Sequence, residues 1–274
     1  MDSLSILTLN IANPSEERAK RQLEWFAEQD DELLVLTESK ASRGCAYLID
    51  RFRAAGYTVI DSGPETGEYG VLLVSKCQLR PDDLARRLDY LPSRVATALL
   101  PTSKGTIRIV GVYAPSTDPS RFSTYDKKER KRNWLSAFQD ELARYQGSHS
   151  QVVIGDLNVI ETGHRPPRDY FDKYEYDFYE ALSARFGMVD AFRQLDQVSE
   201  GHSWVHNNGA GYRYDHAFCS EALATDVVAC QYDHDVRAAK LSDHSALRLT
   251  LAISPQSLLK VSDPLTAGEQ SALF

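Results

Sequence analysis

The chain has 274 residues, and its proportions of hydrophobic (42%) and charged (26%) residues are those of a soluble globular protein. Its apolar runs are far shorter than the roughly 20 residues that span a bilayer. The formal net charge of −8 and the pI of about 5.4 exclude a surface that is uniformly attractive to phosphate polymers. A nucleic-acid enzyme with this charge balance needs locally concentrated basic residues, and carboxylates around a divalent metal would supply part of the negative charge.

The N-terminus and the cysteines indicate a reducing compartment. The segment Met1-Asp2-Ser3-Leu4 has no basic region, so we expect no secretory signal. The four cysteines are widely scattered and lack metal-ligand spacing, which favours buried free thiols in a cytoplasmic protein. They are Cys45, Cys77, Cys219 and Cys230. Periodicity fades near the end of the chain, so we expect one domain over residues 1–254 and a weakly ordered tail over 255–274.

The first half of the chain alternates between strand-like and helix-like segments. Ser15 is a candidate cap for a helix that carries Leu23 and Phe26, and a second helix is predicted over Cys45–Ala55. A turn around Ser103-Lys104-Gly105 predicts that the last two strands of this half form a hairpin. The predicted strands are Leu4–Asn10, Leu33–Thr37, Tyr57–Ile60, Gly70–Ser75, Arg94–Leu100 and Thr106–Tyr113.

The second half continues the same pattern. Helices are predicted over Asp126–Tyr145, where Trp134 and Phe138 share a face, and over Lys173–Phe186. The first of these helices is followed by a strand and then by a long polar loop, Glu161–Asp172, which leads to the second helix. Because strands outnumber helices and come partly in hairpins, we predict an α+β fold in which helices cover two packed, mainly antiparallel sheets. The predicted strands are Val152–Ile154, Gly211–Cys219, Asp226–Tyr232 and Ser245–Ile253.

A buried strand that ends in Gly155-Asp156-Leu157-Asn158 is the centre of the functional argument. Its three apolar residues favour an inner strand, and the glycine then ends it in a polar turn. The turn brings a carboxylate and a carboxamide to the exit of the strand, which is where rigid scaffolds place reactive groups. Taken alone this tetrapeptide is as compatible with an ordinary turn, so other positions must decide.

Polar residues also stand at the ends of other apolar runs. They are Asn10, Glu38, Tyr113, and Asp243 with His244. Asp215 lies inside a strand-like run, and an acid there is costly unless it is paired, for which His244 is eligible.

Seven short motifs, in chain order, give the sequence a family resemblance. The motifs are Leu-Thr-Leu-Asn10, Leu-Thr-Glu38-Ser-Lys, Val-Tyr113-Ala-Pro, Gly-Asp156-Leu-Asn158, Ser203-Trp204, Arg213-Tyr-Asp215 and Ser242-Asp243-His244-Ser. Over about Leu4–Ile253 the chain resembles the endonuclease/exonuclease/phosphatase superfamily, most of all its exonuclease III and apurinic endonuclease branch. The resemblance implies a four-layered α/β sandwich, similar to deoxyribonuclease I, with the site at one edge of two packed sheets.

The resemblance and the residue types together imply a metal-dependent phosphodiesterase, with a DNA nuclease (3′→5′ exonuclease, abasic-site endonuclease, or both) as the first hypothesis. Phosphodiester hydrolysis needs an activated water, a neutralised phosphoryl group and a stabilised leaving oxygen. Hard oxygen ligands suit Mg²⁺ or Mn²⁺. The expected metal ligands are Glu38, Asn10 and Asp243.

The remaining roles follow from the side chains. Asp156 is expected to orient or deprotonate the water, and Asn158 is expected to fix that water or the phosphate. His244 would donate to a phosphoryl oxygen while Asp215 fixes its tautomer, and Tyr113 would offer a phenolic hydrogen bond to the phosphate.

Substrate contacts are expected from residues around these groups. The candidates are Trp204, Arg213, Arg165 and Arg168. A core position for Trp204 is an open alternative. The run 127–132 has five basic residues in six, which is typical either of a surface that tracks a phosphate backbone or of a solvated helix face.

Three departures from the family pattern keep other substrates open. Asn13 comes one place later than the second polar residue of the usual motif, which puts a second metal in doubt. Ser116 stands where the DNA-repair enzymes carry asparagine, and His216 follows Asp215 where an aromatic or aliphatic residue is usual. The alternatives are a related phosphoesterase acting on RNA, a nucleotide or a phosphorylated headgroup, and a catalytically silent binding module. No membrane association and no obligate protein partner is expected.

Overall fold

The fold consists of two six-stranded sheets with helices on their outer faces, in a computed structural model that describes residues 3–117, 124–166, 168 and 170–267. The strands in chain order are β1 (Leu4–Asn10), β2 (Leu33–Ser39), β3 (Thr58–Asp61), β4 (Gly70–Ser75), β5 (Arg80–Pro81), β6 (Val95–Thr102), β7 (Gly105–Tyr113), β8 (Ser150–Asp156), β9 (Met188–Asp190), β10 (Trp204–Val205), β11 (Gly211–Tyr212), β12 (Asp215–Ser220), β13 (Val227–Asp233) and β14 (Ala246–Leu251). The helices are α1 (Glu16–Ala27), α2 (Arg43–Ala54), α3 (Leu84–Arg87), α4 (Thr124–Arg144), α5 (Lys173–Ala184), α6 (Ala191–Leu195) and α7 (Asp235–Ala238), and 3₁₀ turns cover Pro92–Arg94 and Glu221–Asp226.

Each sheet contains one parallel pair of strands near its centre. The first sheet has the order β13-β14-β1-β2-β4-β3, and β1 runs parallel to β2. The second has the order β5-β6-β7-β8-β12-β9, and β7 runs parallel to β8. The other neighbouring strands pair antiparallel, so the prediction of mainly antiparallel sheets is confirmed.

Three apolar cores separate four layers. The central core lies between the two sheets and includes Val35 and Ile154. On the outer face of the first sheet, α1 and α2 bury Phe26 and Phe52 with ring centroids 6.1 Å apart. On the outer face of the second sheet, α4 and α5 bury an aromatic cluster around Phe138. The predicted four-layered sandwich is therefore confirmed.

One predicted strand is wrong. The run Gly211–Cys219 was expected to be continuous, but it breaks at Arg213 and Tyr214. Its first part, β11, pairs with β10 in a two-stranded ribbon, whereas its second part, β12, enters the second sheet. An apolar, aromatic-rich run satisfies strand propensity on both sides of the break, so propensity could not locate it.

The end of the described chain follows the surface of the sandwich. Pro255 bridges to Thr102, and the Arg51 side chain donates to the Pro264 carbonyl at 2.7 Å. Residues 268–274 of the expected tail lie outside the described residues, so the weakly ordered tail stays a prediction. All four cysteines are buried and unpaired. Among the described residues, no helix combines the length and apolarity needed to cross a membrane.

Candidate active site

The predicted site residues meet where the parallel strands of both sheets end. Asn10 is the last residue of β1, and Glu38 is the second-to-last residue of the neighbouring strand β2. Tyr113 ends β7 and lies opposite Asp156 at the end of β8, because the two strands are paired in register. Asp215 begins β12 and is the antiparallel partner of Asp156. The sheet register therefore brings these groups from five strands to one edge of the sandwich.

The turn after β8 is fixed by its glycine and by two side-chain hydrogen bonds. Gly155 has φ +141°, and a Cβ there would lie 2.1 Å from the Val112 carbonyl oxygen, so only glycine fits. Asp156 Oδ1 accepts the Asn158 backbone N–H at 2.9 Å, and Asn158 Nδ2 donates to the Ala114 carbonyl at 2.9 Å. Asn158 is left-handed (φ +50°), which is uncommon for a residue other than glycine and typical of constrained sites.

A hydrogen-bonded chain of buried groups leads from this turn to the other sheet. Asn10 Nδ2 donates to Asp156 Oδ2 at 3.0 Å and lies 3.5 Å from His244 Nε2. His244 Nε2 lies 4.0 Å from the same oxygen, and His244 Nδ1 lies 2.7 Å from Asp215 Oδ2. Because Nδ1 is engaged by Asp215, His244 presents Nε2 towards Asp156.

Burial and close charges shift the pKa values of this group. Burial, reinforced by the Asp215 carboxylate, raises the pKa of Asp156 to about 8, although His244 opposes the rise. Burial disfavours the charged form of His244, but the Asp215 carboxylate outweighs burial and raises the pKa of His244 to about 10. At neutral pH Asp156 is therefore largely protonated and His244 is an imidazolium, and Asp156 becomes a carboxylate base as the pH rises through about 8.

Glu38 is held in place by Tyr113, which lies opposite Asp156 in the second sheet. The Tyr113 hydroxyl donates to Glu38 Oε1, and Glu38 is itself left-handed (φ +58°). Burial and the Glu38 carboxylate raise the pKa of Tyr113 well above its usual value, so the phenol remains a donor. The Arg94 guanidinium lies 4.7 Å from the Tyr113 ring centroid.

The donor atoms of the site are suited to a hard divalent ion. Glu38 and Asp243 both line the pocket, and Asp243 Oδ2 accepts the Trp204 indole N–H at 3.1 Å. The Asn10 side-chain oxygen accepts the Ala12 N–H at 2.9 Å and keeps a second lone pair. Asp215 Oδ1 is buried and has no hydrogen-bond partner among the described residues.

A second set of possible metal ligands overlaps the hydrogen-bonded chain. One ligand atom from each of Asp156, Asp215 and His244 lies within 4.8 Å of the others. The short Asp215–His244 hydrogen bond already occupies one atom of each residue, and an imidazole ligand suits transition metals better than magnesium. A carboxylate such as Glu38, with water as the other ligands, is the better match for magnesium.

The site opens into a pocket of about 540 Å³ with an aromatic wall. Tyr212 and Tyr214 stack with ring centroids 5.2 Å apart, and Trp204 tilts against both. Trp204 is half-buried and lines the pocket, so the alternative of a core tryptophan is wrong. The residues of the wall are Tyr170, Phe171, Trp204, His206, Asn207, Tyr212 and Tyr214.

The three arginines assigned to substrate lie outside this wall. Arg213 is fully buried, and its guanidinium donates at 2.8 Å to both Glu161 and Asp190. Arg168 lies behind the pocket, with its guanidinium 4.7 Å from the Tyr212 ring centroid and a hydrogen bond to the Gly211 carbonyl. Arg165 is exposed on the same loop.

The basic run on α4 is largely paired within the protein. Lys128 pairs with Asp172 at 2.9 Å, and Arg130 pairs with Glu68 at 2.6 Å. Lys131 points inward and is 1% exposed. The run is therefore neither a free cationic stripe nor a simple solvated face.

The residues that depart from the family pattern also have definite positions. Asn13 faces Cys45, whose thiol lies 3.9 Å from its side-chain oxygen. His216 is buried beside Asp190 in the sheet, so it is a neighbour of the site rather than part of the pocket. Ser116 lines the pocket.

The tyrosines of the wall were not among the residues predicted from the sequence. Tyr212 and Tyr214 are two residues apart in an extended segment, so both face the pocket while Arg213 points to the opposite side. This alternation was readable, but the break between β11 and β12 was not.

The comparisons with known proteins agree with this geometry. A sequence model described as the Endonuclease/Exonuclease/phosphatase family matches residues 7–244. The chain belongs to this family. The name of the family describes endonucleases, exonucleases and phosphatases.

Solved structures share the fold of this family member. An AP endonuclease from Archaeoglobus fulgidus is 24% identical, with a TM-score of 0.73 over 90% of this chain and 99% of its own. The Neisseria 3′ phosphatase bound to a product DNA hairpin is 22% identical, with a TM-score of 0.72 over 90% of this chain and 98% of its own.

A curated relative is much longer. The uncharacterized 149 kDa protein of transposon TX1 from Xenopus laevis is 23% identical over 190 residues, which cover 68% of this chain and 13% of that protein.

Proposed function

We propose that this protein is a metal-dependent DNA nuclease whose centre is the buried Asp215–His244–Asp156 group beside Glu38. The observation that carries the proposal is the 2.7 Å hydrogen bond from His244 Nδ1 to Asp215, which leaves Nε2 facing Asp156 at the pocket. Nδ1 is anchored on Asp215, while Nε2 lies 3.5 Å from Asn10 Nδ2 and 4.0 Å from Asp156 Oδ2. This arrangement places one ring nitrogen beside a carboxylate at the pocket, where it can take part in acid–base chemistry.

In the proposed reaction, each group acts on one atom of the phosphodiester. The deprotonated form of Asp156 takes the proton of the attacking water, or orients that water, and the raised pKa makes this carboxylate a stronger base. His244 donates Nε2–H to a non-bridging phosphoryl oxygen, and Asp215 orients the ring and stabilises the imidazolium. Asn158, whose carboxamide is anchored on Ala114, holds the water or the phosphate.

Glu38 would hold the metal, with Asn10 and Asp243 offering further oxygens. A bound Mg²⁺ or Mn²⁺ supplies positive charge that neutralises the phosphoryl oxygens. Tyr113 holds Glu38 in place through its hydroxyl and can also offer that hydroxyl to the phosphate.

DNA is the substrate that best fits the pocket wall and the relatives. Pockets of this size take ligands as large as a whole nucleotide, and aromatic faces bind unstacked bases or sugars. The relatives include an AP endonuclease and a 3′ phosphatase bound to DNA, which favours 3′→5′ exonuclease or abasic-site activity in DNA repair.

We propose that Trp204, with the 161–172 loop, sets substrate choice, and that Arg165 and Arg168 contact the strand outside the pocket. The role assigned to Arg213 changes from substrate contact to a buried ion pair with Glu161 and Asp190, because its side chain is buried. Four buried, unpaired cysteines support a reducing cytoplasm.

A smaller phosphoester is the second candidate. None of the described residues that line the pocket is lysine or arginine, whereas binding to a phosphate polymer depends on such cations. Hydrolysis of a free nucleotide or a phosphorylated headgroup would need fewer of them.

The proposal is tested by a substrate panel. Purified protein is incubated with Mg²⁺, with Mn²⁺ or with EDTA on an abasic duplex, a blunt duplex, single-stranded DNA, RNA, a free nucleotide and a phosphoinositide headgroup. We expect metal-dependent cleavage of DNA. Turnover confined to the nucleotide or the headgroup would favour the second candidate, and metal-independent cleavage would contradict the proposed chemistry.

A further inference from the structure

A buried lysine contacts the turn that carries the proposed catalytic residues. Lys131, on α4, has its Nζ 2.5 Å from the Asn158 carbonyl oxygen, and it also donates to Glu175 Oε1. The side chains of Lys131 and Glu175 are each 1% exposed. Burial lowers the pKa of Lys131, while the Glu175 carboxylate opposes that effect.

The ion pair is costly for a purely structural device. Removing an ammonium and a carboxylate from water carries a large penalty, and apolar pairs of the same volume often give equal or greater stability. The pair is therefore not explained by packing alone. What an apolar pair could not supply is a directed N–H donor at the Asn158 carbonyl.

That donor acts on a strained position. Asn158 is left-handed, and its N–H, its carboxamide and its carbonyl are each engaged, by Asp156, Ala114 and Lys131 respectively. Removing the last contact leaves the left-handed turn without its support on the α4 side.

The same ammonium reaches the pocket wall. Its nitrogen lies 5.6 Å from the ring centroid of Phe171, which lines the pocket. Glu175, its counter-ion, also accepts the Asp172 N–H at 2.8 Å and thereby caps the start of α5. One buried charge pair thus connects α4, α5, the catalytic turn and the aromatic wall.

We propose that Lys131 is a positioning residue: its buried Nζ donor holds Asn158 in the left-handed conformation that aligns the Asn158 carboxamide for catalysis, and Glu175 serves as its counter-ion. The proposal rests on the proposed function, because it assumes that Asn158 and Asp156 do the chemistry.

The first test separates the donor from the ion pair. Glu175→Gln removes the counter-charge but leaves an amine that donates to Asn158, so we expect a lower Tm and nearly unchanged kcat. Lys131→Met/Glu175→Gln removes donor and charge together. It should fold, and its kcat should fall about 10²-fold relative to Glu175→Gln, because a displacement near 1 Å at a catalytic group costs about that factor. KM should change little.

Two controls exclude a general folding defect. Lys131→Arg keeps a cationic donor and should recover at least tenfold of the lost rate. In an Asn158→Gly background, which has no side chain to position, adding Lys131→Met/Glu175→Gln should cost little more. Equal kcat in Glu175→Gln and the double variant, or a full second loss in the Asn158→Gly background, would overturn the proposal.

A structural measurement makes the test independent of the nuclease assignment. In a crystal structure of Lys131→Met/Glu175→Gln we expect residue 158 to leave its left-handed conformation, or its carboxamide to leave Ala114. If wild type is inactive on every substrate, the nuclease proposal fails, and this structure still tests the positioning. An unchanged residue 158 would overturn it. If the double variant does not fold, Lys131→Arg decides, because a folded Lys131→Arg protein with displaced Asn158 and low kcat would contradict a role carried by the donor.

Discussion

Replacing Asp215 with asparagine should disable His244 while leaving the site in place. Asp215 Oδ2 lies 2.7 Å from His244 Nδ1, and both side chains are buried. The amide is nearly isosteric, but it lacks the charge that stabilises the imidazolium. A positioned acid contributes about 10²–10⁴-fold to the rate. At about 1.36 kcal/mol per tenfold, that range corresponds to about 2.7–5.4 kcal/mol of transition-state stabilisation.

The loss should not add to the loss caused by removing His244. Turnover is measured for Asp215→Asn, His244→Ala and the double variant on the best substrate of the panel, with thermal melts as the folding control. If Asp215 acts only through His244, the double variant should be little slower than His244→Ala. Fully additive losses in well-folded variants would refute the reasoning.

The pH profile provides a second signature of the same pair. The charge of Asp215 raises the pKa of His244 to about 10, so the protonated donor is present below that pH and is lost as pH rises through it. In Asp215→Asn that support is gone, and the pKa of His244 should move towards about 6.5 or lower. The alkaline fall in kcat should therefore shift to lower pH in the variant. An unshifted alkaline limb would show that His244 is not the donor.

Three further predictions concern the metal, the pocket and the buried ion pairs. Glu38→Gln should abolish the response to Mg²⁺, measured as rate against metal concentration, and activity that survives both this change and EDTA would rule out the metal assignment. Trp204→Ala should weaken substrate binding by about 1–3 kcal/mol with little effect on kcat; lost folding with unchanged substrate preference would contradict its place in the pocket. Arg213 outweighs burial and holds the pKa of Asp190 far below its usual range, so this stabilisation is complete above about pH 4 and declines as pH falls further. The difference in unfolding free energy between wild type and Asp190→Asn, from urea titrations, should accordingly shrink by up to about 1.4 kcal/mol per pH unit below pH 4, and a constant difference would contradict the ion-pair account.

The ends of the buried strands were predictable because hydrophobic patterning and turn chemistry agree there. Asp156 follows an apolar run and then Gly155, where the structure has no room for a side chain. The end of the apolar run and the glycine therefore both indicate a turn at this point. The pairing of Asp215 with His244 followed from the cost of an unpaired acid in a strand, and the structure has the two in contact.

The roles of the basic residues could not be predicted because charge alone does not report burial. Arg213 and Lys131 carry the positive charge expected of residues that contact a phosphate substrate. In the structure, however, Arg213 is buried against Asp190 and Lys131 against Glu175, and both carboxylates are distant in sequence. These ion pairs can be recognised only when the fold is known, because it places β9 beside β12 and α5 beside α4. The aromatic wall was missed for a related reason, because it assembles from the ribbon β10–β11 and the loop before α5.

Cleavage by Asp156→Asn protein, measured beside wild type, shows whether the Asp156 carboxylate carries the hydrolysis. Both are assayed in single turnover on the DNA substrate that wild type cleaves best, with Mg²⁺ and with EDTA, after melts confirm that the variant is folded. The account predicts metal-dependent cleavage by wild type and a rate lower by about 10²–10⁴-fold in Asp156→Asn, because the base is gone while its shape is kept. A folded Asp156→Asn protein that cleaves at the wild-type rate would contradict it.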